Sequence, residues 1–210
     1  MKNTNNTYFI TGIGTDVGKT VISAIVVKAL GADYWKPIQA GDLDYSDTHK
    51  VKELVNDDSI KFHSNAFALK TPMSPHAAAD IDGINIKLGD ITTPKLKKHL
   101  VIEGAGGLLV PINNKDTIAD LISKEDKIIL VSRHYLGSIN HTLLSLEFLK
   151  NKGFKNIGII FSGVEHPTTE SIILSKTKAK FIGRVDEEKE FTPQVIQKYA
   201  ERFKENVLNL

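Results

Sequence analysis

The sequence predicts an α/β domain with a mostly parallel sheet flanked by helices, spanning residues 1–210 as a single unit. Three observations predict it. Short apolar runs alternate with helical patterns from end to end, which is how a parallel sheet with crossover helices reads. Several of those runs are continuous rather than alternating, as strands covered on both faces are. A glycine-rich segment, Gly12–Thr20, joins the first apolar run to the first helical pattern.

Taken in order, Tyr8–Ile10 is a β-type run that ends at Gly12. Thr20–Leu30 reads as a helix, with Val21, Ile25 and Ala29 on one face and Gly31 as its stop. Tyr34–Trp35 is a second strand, where Pro37 ends regular pairing. Leu100–Glu103, Ile128–Ser132 and Ile157–Phe161 are buried-type strands. Between the last two, Ser138–Lys152 carries Ile139, Leu143, Leu146 and Leu149 at helical spacing. Phe181–Ile182 reads as one more strand and Pro193–Val207 as a terminal helix. The stretch Ser59–Pro94, broken by Pro72, Pro75 and Pro94, reads as irregular. A long irregular stretch inside a compact domain is often functional. There is no internal repeat and no linker dividing two domains.

Composition narrows the function. The 210 residues are 41% hydrophobic and 25% charged, within the ordinary globular range, and the net charge is only +2. The lysines are scattered rather than clustered, so nucleic acid is not an expected partner. Without cysteine there is no disulfide, thiolate catalysis or cysteine zinc site, which is compatible with a reducing compartment. No run reaches the ~18 apolar residues of a membrane span. Met1 to Thr7 is polar and lacks the apolar core of a signal peptide. The expectation is a cytoplasmic protein with no membrane partner.

The segment Gly12-Ile13-Gly14-Thr15-Asp16-Val17-Gly18-Lys19-Thr20 has the context of a phosphate-binding loop, between a strand and a helix. Glycines allow backbone N–H groups to converge on phosphate oxygens, and the helix that follows presents its positive end. Lys19 would neutralise the β- and γ-phosphates, and the Thr20 hydroxyl would be a magnesium ligand. Gly12 and Gly18 enclose five residues where the common loop has four. A glycine-rich turn with an incidental Lys-Thr is the plainer alternative, and the strand–loop–helix context outweighs it. The expected architecture is therefore P-loop NTPase-like.

Such a loop needs a carboxylate at the end of another buried strand to help hold the metal. Glu103, closing Val101-Ile102 and followed by Gly104-Ala105-Gly106-Gly107, meets that need; a carboxylate that merely ends a strand is the alternative. Lys36 ends the second strand on the carboxyl edge, where such sheets bind ligands, and its ammonium suits charge developing on a transferred phosphoryl group. Asp47 reads locally as a helix N-cap or a metal ligand, with the cap favoured. Gly137-Ser138-Ile139-Asn140 opens a helix whose free N–H groups suit a substrate carboxylate, although Ser138 as an ordinary N-cap is plainer. His76 and His141 read as hydrogen-bonded structural or surface groups rather than metal ligands, since no second histidine has ligand spacing.

Together these motifs resemble the dethiobiotin synthetase family, the ATP-dependent ligases of biotin synthesis. The segments that carry the resemblance are Thr11–Thr20, Trp35-Lys36-Pro37 with Gly41, Ser46-Asp47, Ser74-Pro75-His76, Glu103–Gly107 and Leu136–His141. The five-residue loop spacing is the family's own form. The resemblance implies 7,8-diaminononanoate, CO2 or bicarbonate and ATP as substrates, with Mg2+ as cofactor. The diamine gains CO2 as a carbamate, ATP phosphorylates the carbamate, and the neighbouring amine closes a cyclic urea.

By position the resemblance makes Thr20, Asp47 and Glu103 the magnesium ligands, turning Asp47 from cap to ligand. Lys19, Lys36 and Thr15 become the catalytic contacts. Gly12, Asp16, Val17, Gly18, Val21, Gly104, Ala105 and Gly106 line the nucleotide, and Ala40 lies at the substrate. The family's active site lies at a homodimer interface, so Gly137, Ser138, Ile139 and Asn140 would serve the partner's substrate. Ala40 stands where many members carry Ser or Thr. Phe161-Ser162-Gly163 lacks the adenine-reading Asn that is common there, and Arg184-Val185-Asp186-Glu187 lacks the usual Pro-rich segment. The implied consequence is relaxed or differently built base recognition. Rival readings are a partitioning-type P-loop ATPase acting as a dimer switch, and a regulatory nucleotide-binding module. Against the first, Ile13, Gly14 and Thr15 offer no second lysine early in the loop; against the second, the acids and Lys36 exceed what binding alone needs.

Overall fold

In a computed structural model describing residues 6–95 and 97–210, strand β1 (Thr7–Gly12) lies in the middle of a seven-stranded parallel sheet. The polar start read as lacking a signal-peptide core lies largely outside the described residues. The sheet order is β4-β2-β6-β1-β7-β8-β9, with β2 at Asp33–Trp35, β4 at Phe62–His63, β6 at Leu100–Gly107, β7 at Lys127–Arg133, β8 at Ile157–Ser162 and β9 at Lys180–Val185. β1 is flanked by β6, with Phe9 opposite Ile102, and by β7, with Thr11 opposite Leu130. The expected parallel α/β architecture is the one present.

Alternation along the strands divides the core. Tyr8, Ile10, Tyr34 and Val101 face one layer, made by α1 (Lys19–Leu30), α2 (Asp47–Val55) and α6 (Pro193–Leu208). Phe9, Trp35, Leu100 and Ile102 face the other, where α3 (Pro75–Asp82) and α4 (Ser138–Asn151) lie, with α5 (Pro167–Thr177) against α4. Because Glu103 is two residues beyond Val101, it points to the α1 side of the sheet.

Some expectations need correction. Ser59–Pro94 is not wholly irregular: it holds β4, β5 (Phe67–Leu69), α3 and a 3₁₀ turn at Leu88–Asp90. Pro75 does not break the chain there but opens α3 at its first turn, where the missing N–H costs nothing. Beyond Pro37 the chain forms β3 (Ile38–Ala40), which pairs in parallel with β5 as a separate two-stranded sheet. Helix α5 is not among the elements that the spacing predicts, because Ile172-Ile173-Leu174 are consecutive rather than helically spaced and only Ile173 of them is fully buried.

Candidate active site

The loop after β1 turns on two glycines. At Gly12 a Cβ would stand 2.5 Å from Val17 Cγ2, so no side chain fits where the loop folds back. Gly18 caps α1 with φ of 95°, a conformation that disfavours any residue with a Cβ. The loop tip carries Asp16 in the left-handed region at φ 54°, which Asp tolerates better than most residues. Lys19 is buried, and its Nζ donates to Gly14 O at 2.9 Å, so the side chain folds back over the loop. Burial lowers its pKa, partly offset by Glu103.

The end of β2, the middle of β6 and the start of α2 converge beside this loop. The Thr20 hydroxyl lies 3.1 Å from Glu103 Oε1 and 3.2 Å from Asp47 Oδ1. Lys36 Nζ lies 2.6 Å from Asp47 Oδ2 and 3.0 Å from Glu103 Oε1. Tyr34, fully buried, donates its hydroxyl to Glu103 Oε2 at 3.0 Å. Burial alone would lower the Lys36 pKa, but Glu103 and then Asp47 outweigh it and the net shift is upward. For Asp47, burial pushes the carboxyl up and Lys36 more than reverses it, so its pKa falls. Burial followed by the Glu103 charge drives the Tyr34 phenol well above its usual value.

The N-cap reading of Asp47 is corrected. Ser46 caps α2, its N–H donating to His49 Nδ1 at 3.0 Å. Asp47 is the first residue of the helix, and its carboxylate turns to Thr20 and Lys36 instead. The N-cap reading of Ser138 is corrected likewise: Gly137, at φ 102°, is the cap and Ser138 the first helical residue. His76 and His141 are hydrogen-bonded, to Ser74 at 3.1 Å and Tyr135 at 2.7 Å, and His141 lies on the surface.

A cleft of about 970 Å³ runs from these groups along the sheet edge. Of the predicted residues, Thr15, Asp16, Gly18, Lys19, Thr20, Val21, Lys36, Ala40, Asp47, Glu103, Ala105 and Gly106 line it. Gly12, Val17 and Gly104 lie beneath and shape it: Val17 is 2% exposed, and a Cβ on Gly104 would stand 3.1 Å from both Phe9 and Ile118. Gly137, Ser138, Ile139 and Asn140 are not brought to it; they line a second pocket of about 800 Å³ that shares Arg133, Gly163 and Glu187 with the first.

Sequence reasoning misses Tyr34 and Gln39. Gln39 lines the cleft and accepts from the Asp47 N–H at 3.4 Å. Neither has a motif to mark it; adjacency to Lys36 is the available signal. At the far end the cleft is closed by Ser162, Gly163, Val185–Glu188 and Phe191. There Arg133 pairs with Glu187 at 2.7 Å, and the Tyr199 hydroxyl holds Glu188 at 2.8 Å.

The donor set suits a magnesium ion. Among the described residues no cluster of three or more His, Asp and Glu side chains is poised for a metal. Two carboxylates and a hydroxyl beside a phosphate loop are what Mg2+ uses, because phosphate oxygens and water complete its shell. The two carboxylates already meet at a cation, the Lys36 ammonium.

Comparison with known proteins adds the following. A family model described as an AAA domain matches residues 6–195. The chain is 64% identical over 203 residues to the ATP-dependent dethiobiotin synthetase BioD of Christiangramia forsetii, covering 97% of this chain and 98% of that one. It is 46% identical over 201 residues to the protein of the same name from Cytophaga hutchinsonii, covering 95% and 97%. Among solved structures it is similar to a putative plasmid partition protein from Borrelia burgdorferi bound to AMPPNP, with TM-score 0.61, 15% identity and 98% coverage of each chain. It is also similar to a ParA family ATPase from Chlorobium tepidum, with TM-score 0.56, 13% identity and coverage of 98% and 92%. At those identities the structural likeness speaks for the fold alone.

Proposed function

The chain belongs to the ATP-dependent dethiobiotin synthetase family, and from that premise we propose that it makes dethiobiotin from 7,8-diaminononanoate, CO2 and ATP. One amine of the diamine adds to CO2 and loses a proton, leaving a carbamate. A carbamate oxygen attacks the γ-phosphorus of ATP and ADP leaves. The second amine then attacks the carbamate carbon and expels phosphate, closing the cyclic urea.

The observation that carries this reading is the meeting of Thr20, Asp47, Glu103 and Lys36 within hydrogen-bonding distance beside the phosphate loop. Thr20, Asp47 and Glu103 would hold Mg2+, which when bound neutralises phosphate oxygens and favours phosphoryl transfer. Lys19, already turned over the loop, would bind the β- and γ-phosphates. Lys36 and Thr15 would contact the carbamate and the transferred group, where positive charge and N–H or O–H donors stabilise what develops in the transition state. Holding two anions in line for reaction is the main task, since the carbamate is a poor electrophile until phosphorylated.

The second pocket completes the proposal. In the first turn of α4 the Ser138 N–H donates to Tyr135 O at 2.9 Å, while those of Ile139 and Asn140 have no carbonyl partner within the helix, beside exposed Leu136 and Ile139. We therefore assign Gly137–Asn140 to the substrate carboxylate of a partner subunit in a homodimer. The cytoplasm is the compartment we assign, in keeping with the absence of cysteine. The partitioning-type ATPase shares the fold, but no second lysine stands among Ile13, Gly14 and Thr15.

The deciding experiment is ADP release by the purified protein with Mg2+, bicarbonate and 7,8-diaminononanoate. Release should require the diamine and be matched by cyclic urea. ADP release indifferent to the diamine would overturn the ligase reading.

A further inference from the structure

Glu103 is fully buried at its side chain, and both its oxygens are engaged. Tyr34 holds Oε2, while Oε1 accepts from the Thr20 hydroxyl and from Lys36 together. The Thr20 hydroxyl has one proton to share between Glu103 and Asp47, so it cannot satisfy both carboxylates. A second, partly buried carboxylate beside it without a cation is costly. Lys36 meets that cost with one ammonium between Asp47 Oδ2 and Glu103 Oε1, while Lys50, at 3.8 Å from Asp47, is on the exposed side.

The oxygen that Lys36 holds, Glu103 Oε1, is the same one that faces Thr20. A divalent cation placed among Thr20, Asp47 and Glu103 would need it too. We propose that Lys36 is a resident cation that occupies the acid pair in the unloaded protein, keeps free divalent ions out, and yields when metal arrives with nucleotide. This rests on the assignment of Thr20, Asp47 and Glu103 as the metal site. The lysine displaced from the acids is the one assigned to the carbamate, so its ammonium becomes free for the reacting group only once the metal–nucleotide is in place. Tyr34 is the complementary positioning residue: by holding Oε2 it keeps Glu103 Oε1 turned to the contested position.

The test is binding of free Mn2+ without nucleotide, followed by electron paramagnetic resonance, for the wild type, Lys36→Met and Lys36→Arg. Removing a unit charge about 3 Å from the acids should tighten free Mn2+ binding by at least ~10-fold in Lys36→Met. Lys36→Arg keeps the charge and should bind free Mn2+ as weakly as the wild type. Adding Glu103→Gln to Lys36→Met should abolish the gain. Equal free-Mn2+ affinity in the wild type and Lys36→Met would overturn the proposal while leaving the metal site standing, provided Mn2+ binds all three proteins in the presence of ADP. Absence of Mn2+ binding even with ADP would remove the metal site and this inference with it. Should Lys36→Met unfold, recovery of its thermal transition by free Mn2+, with no shift in the wild type, would support the exchange. Failure of Mn2+ to restore folding would overturn it.

Discussion

Lys19 and Lys36 are both buried ammonium groups, and their surroundings move them in opposite directions. Lys19 has the Gly14 carbonyl as its close partner and its pKa falls with burial, whereas Lys36 has two carboxylates and rises. Their proposed tasks differ accordingly: one grips the nucleotide, the other reaches the reacting centre. Lys36→Ala should lower turnover at least ~100-fold without weakening ATP binding by more than ~5-fold. Single-turnover kinetics with independent nucleotide titration would measure both, and equal losses would reassign Lys36 to ground-state binding. At the end of the cleft proposed for the base, Ser162 stands where the family resemblance implies an adenine-reading amide, and Asp186, Glu187 and Glu188 line the same end. With one hydroxyl rather than an amide, the pocket has less means to tell bases apart. The kcat/KM values for ATP, GTP and CTP should lie within about tenfold of one another. A strong preference for ATP would refute the relaxed base site.

Helix α6 shows how an element far from the chemistry supports it. Thr192 caps it by accepting from Val195 N at 3.3 Å, and Pro193 occupies the first turn. Ile196, Tyr199, Phe203 and Val207 form its buried stripe. Phe203 packs so closely on β9 that a Cβ on Gly183 would stand 2.2 Å from its ring, and one turn earlier Tyr199 holds Glu188 at the cleft. Phe203→Ala should cost ~3–5 kcal/mol, read as a lower midpoint in urea without change of slope. At the start of β7, burial raises the Asp126 carboxyl to about 6 from 3.8, partly countered by the Ser123 N–H. The folded chain therefore holds that proton more tightly than the unfolded one. This group costs stability above about pH 6, and the cost fades as pH falls toward 3.8. Asp126→Asn should stabilise the protein by roughly 1–2 kcal/mol near pH 7.5, discounted for the water that still reaches the carboxylate. Melts at about pH 7.5 and about pH 4.5 would show the gain shrinking at the lower pH.

Over the whole molecule, the described chain leaves a cluster of apolar side chains beside the start of α4 uncovered. Leu136 is fully exposed, and Tyr135, Ile139 and Val164 are 44%, 38% and 62% exposed. Apolar residues grouped this way around a pocket mark an interface, here the proposed homodimer face. Ile139→Glu should shift sedimentation from dimer to monomer and lower ligase turnover at least ~10-fold while leaving ATP binding intact, because burying a carboxylate in an apolar contact is costly. A monomeric wild type at assay concentrations would refute the shared site.

Chemistry written in consecutive residues is legible in the sequence by itself. The loop Gly12–Thr20, Glu103 at the end of an apolar run and Lys36 after a short strand can each be read there, because backbone torsion and strand burial act over neighbouring positions. The strands β3 and β5, three residues each, carry too little periodicity to be seen, and α5 lacks the spacing of a helical stripe. Local sequence also points to the wrong caps at Asp47 and Ser138, since capping turns on backbone angles and on which neighbour the side chain reaches. Only the tertiary structure brings Tyr34, Lys36, Asp47 and Glu103 together beside the Thr20 hydroxyl, from two separate strands and a helix start. Whether a buried carboxylate faces a metal, a lysine or a phenol depends on distances of a few ångströms between segments far apart in the chain, and those distances are set by packing.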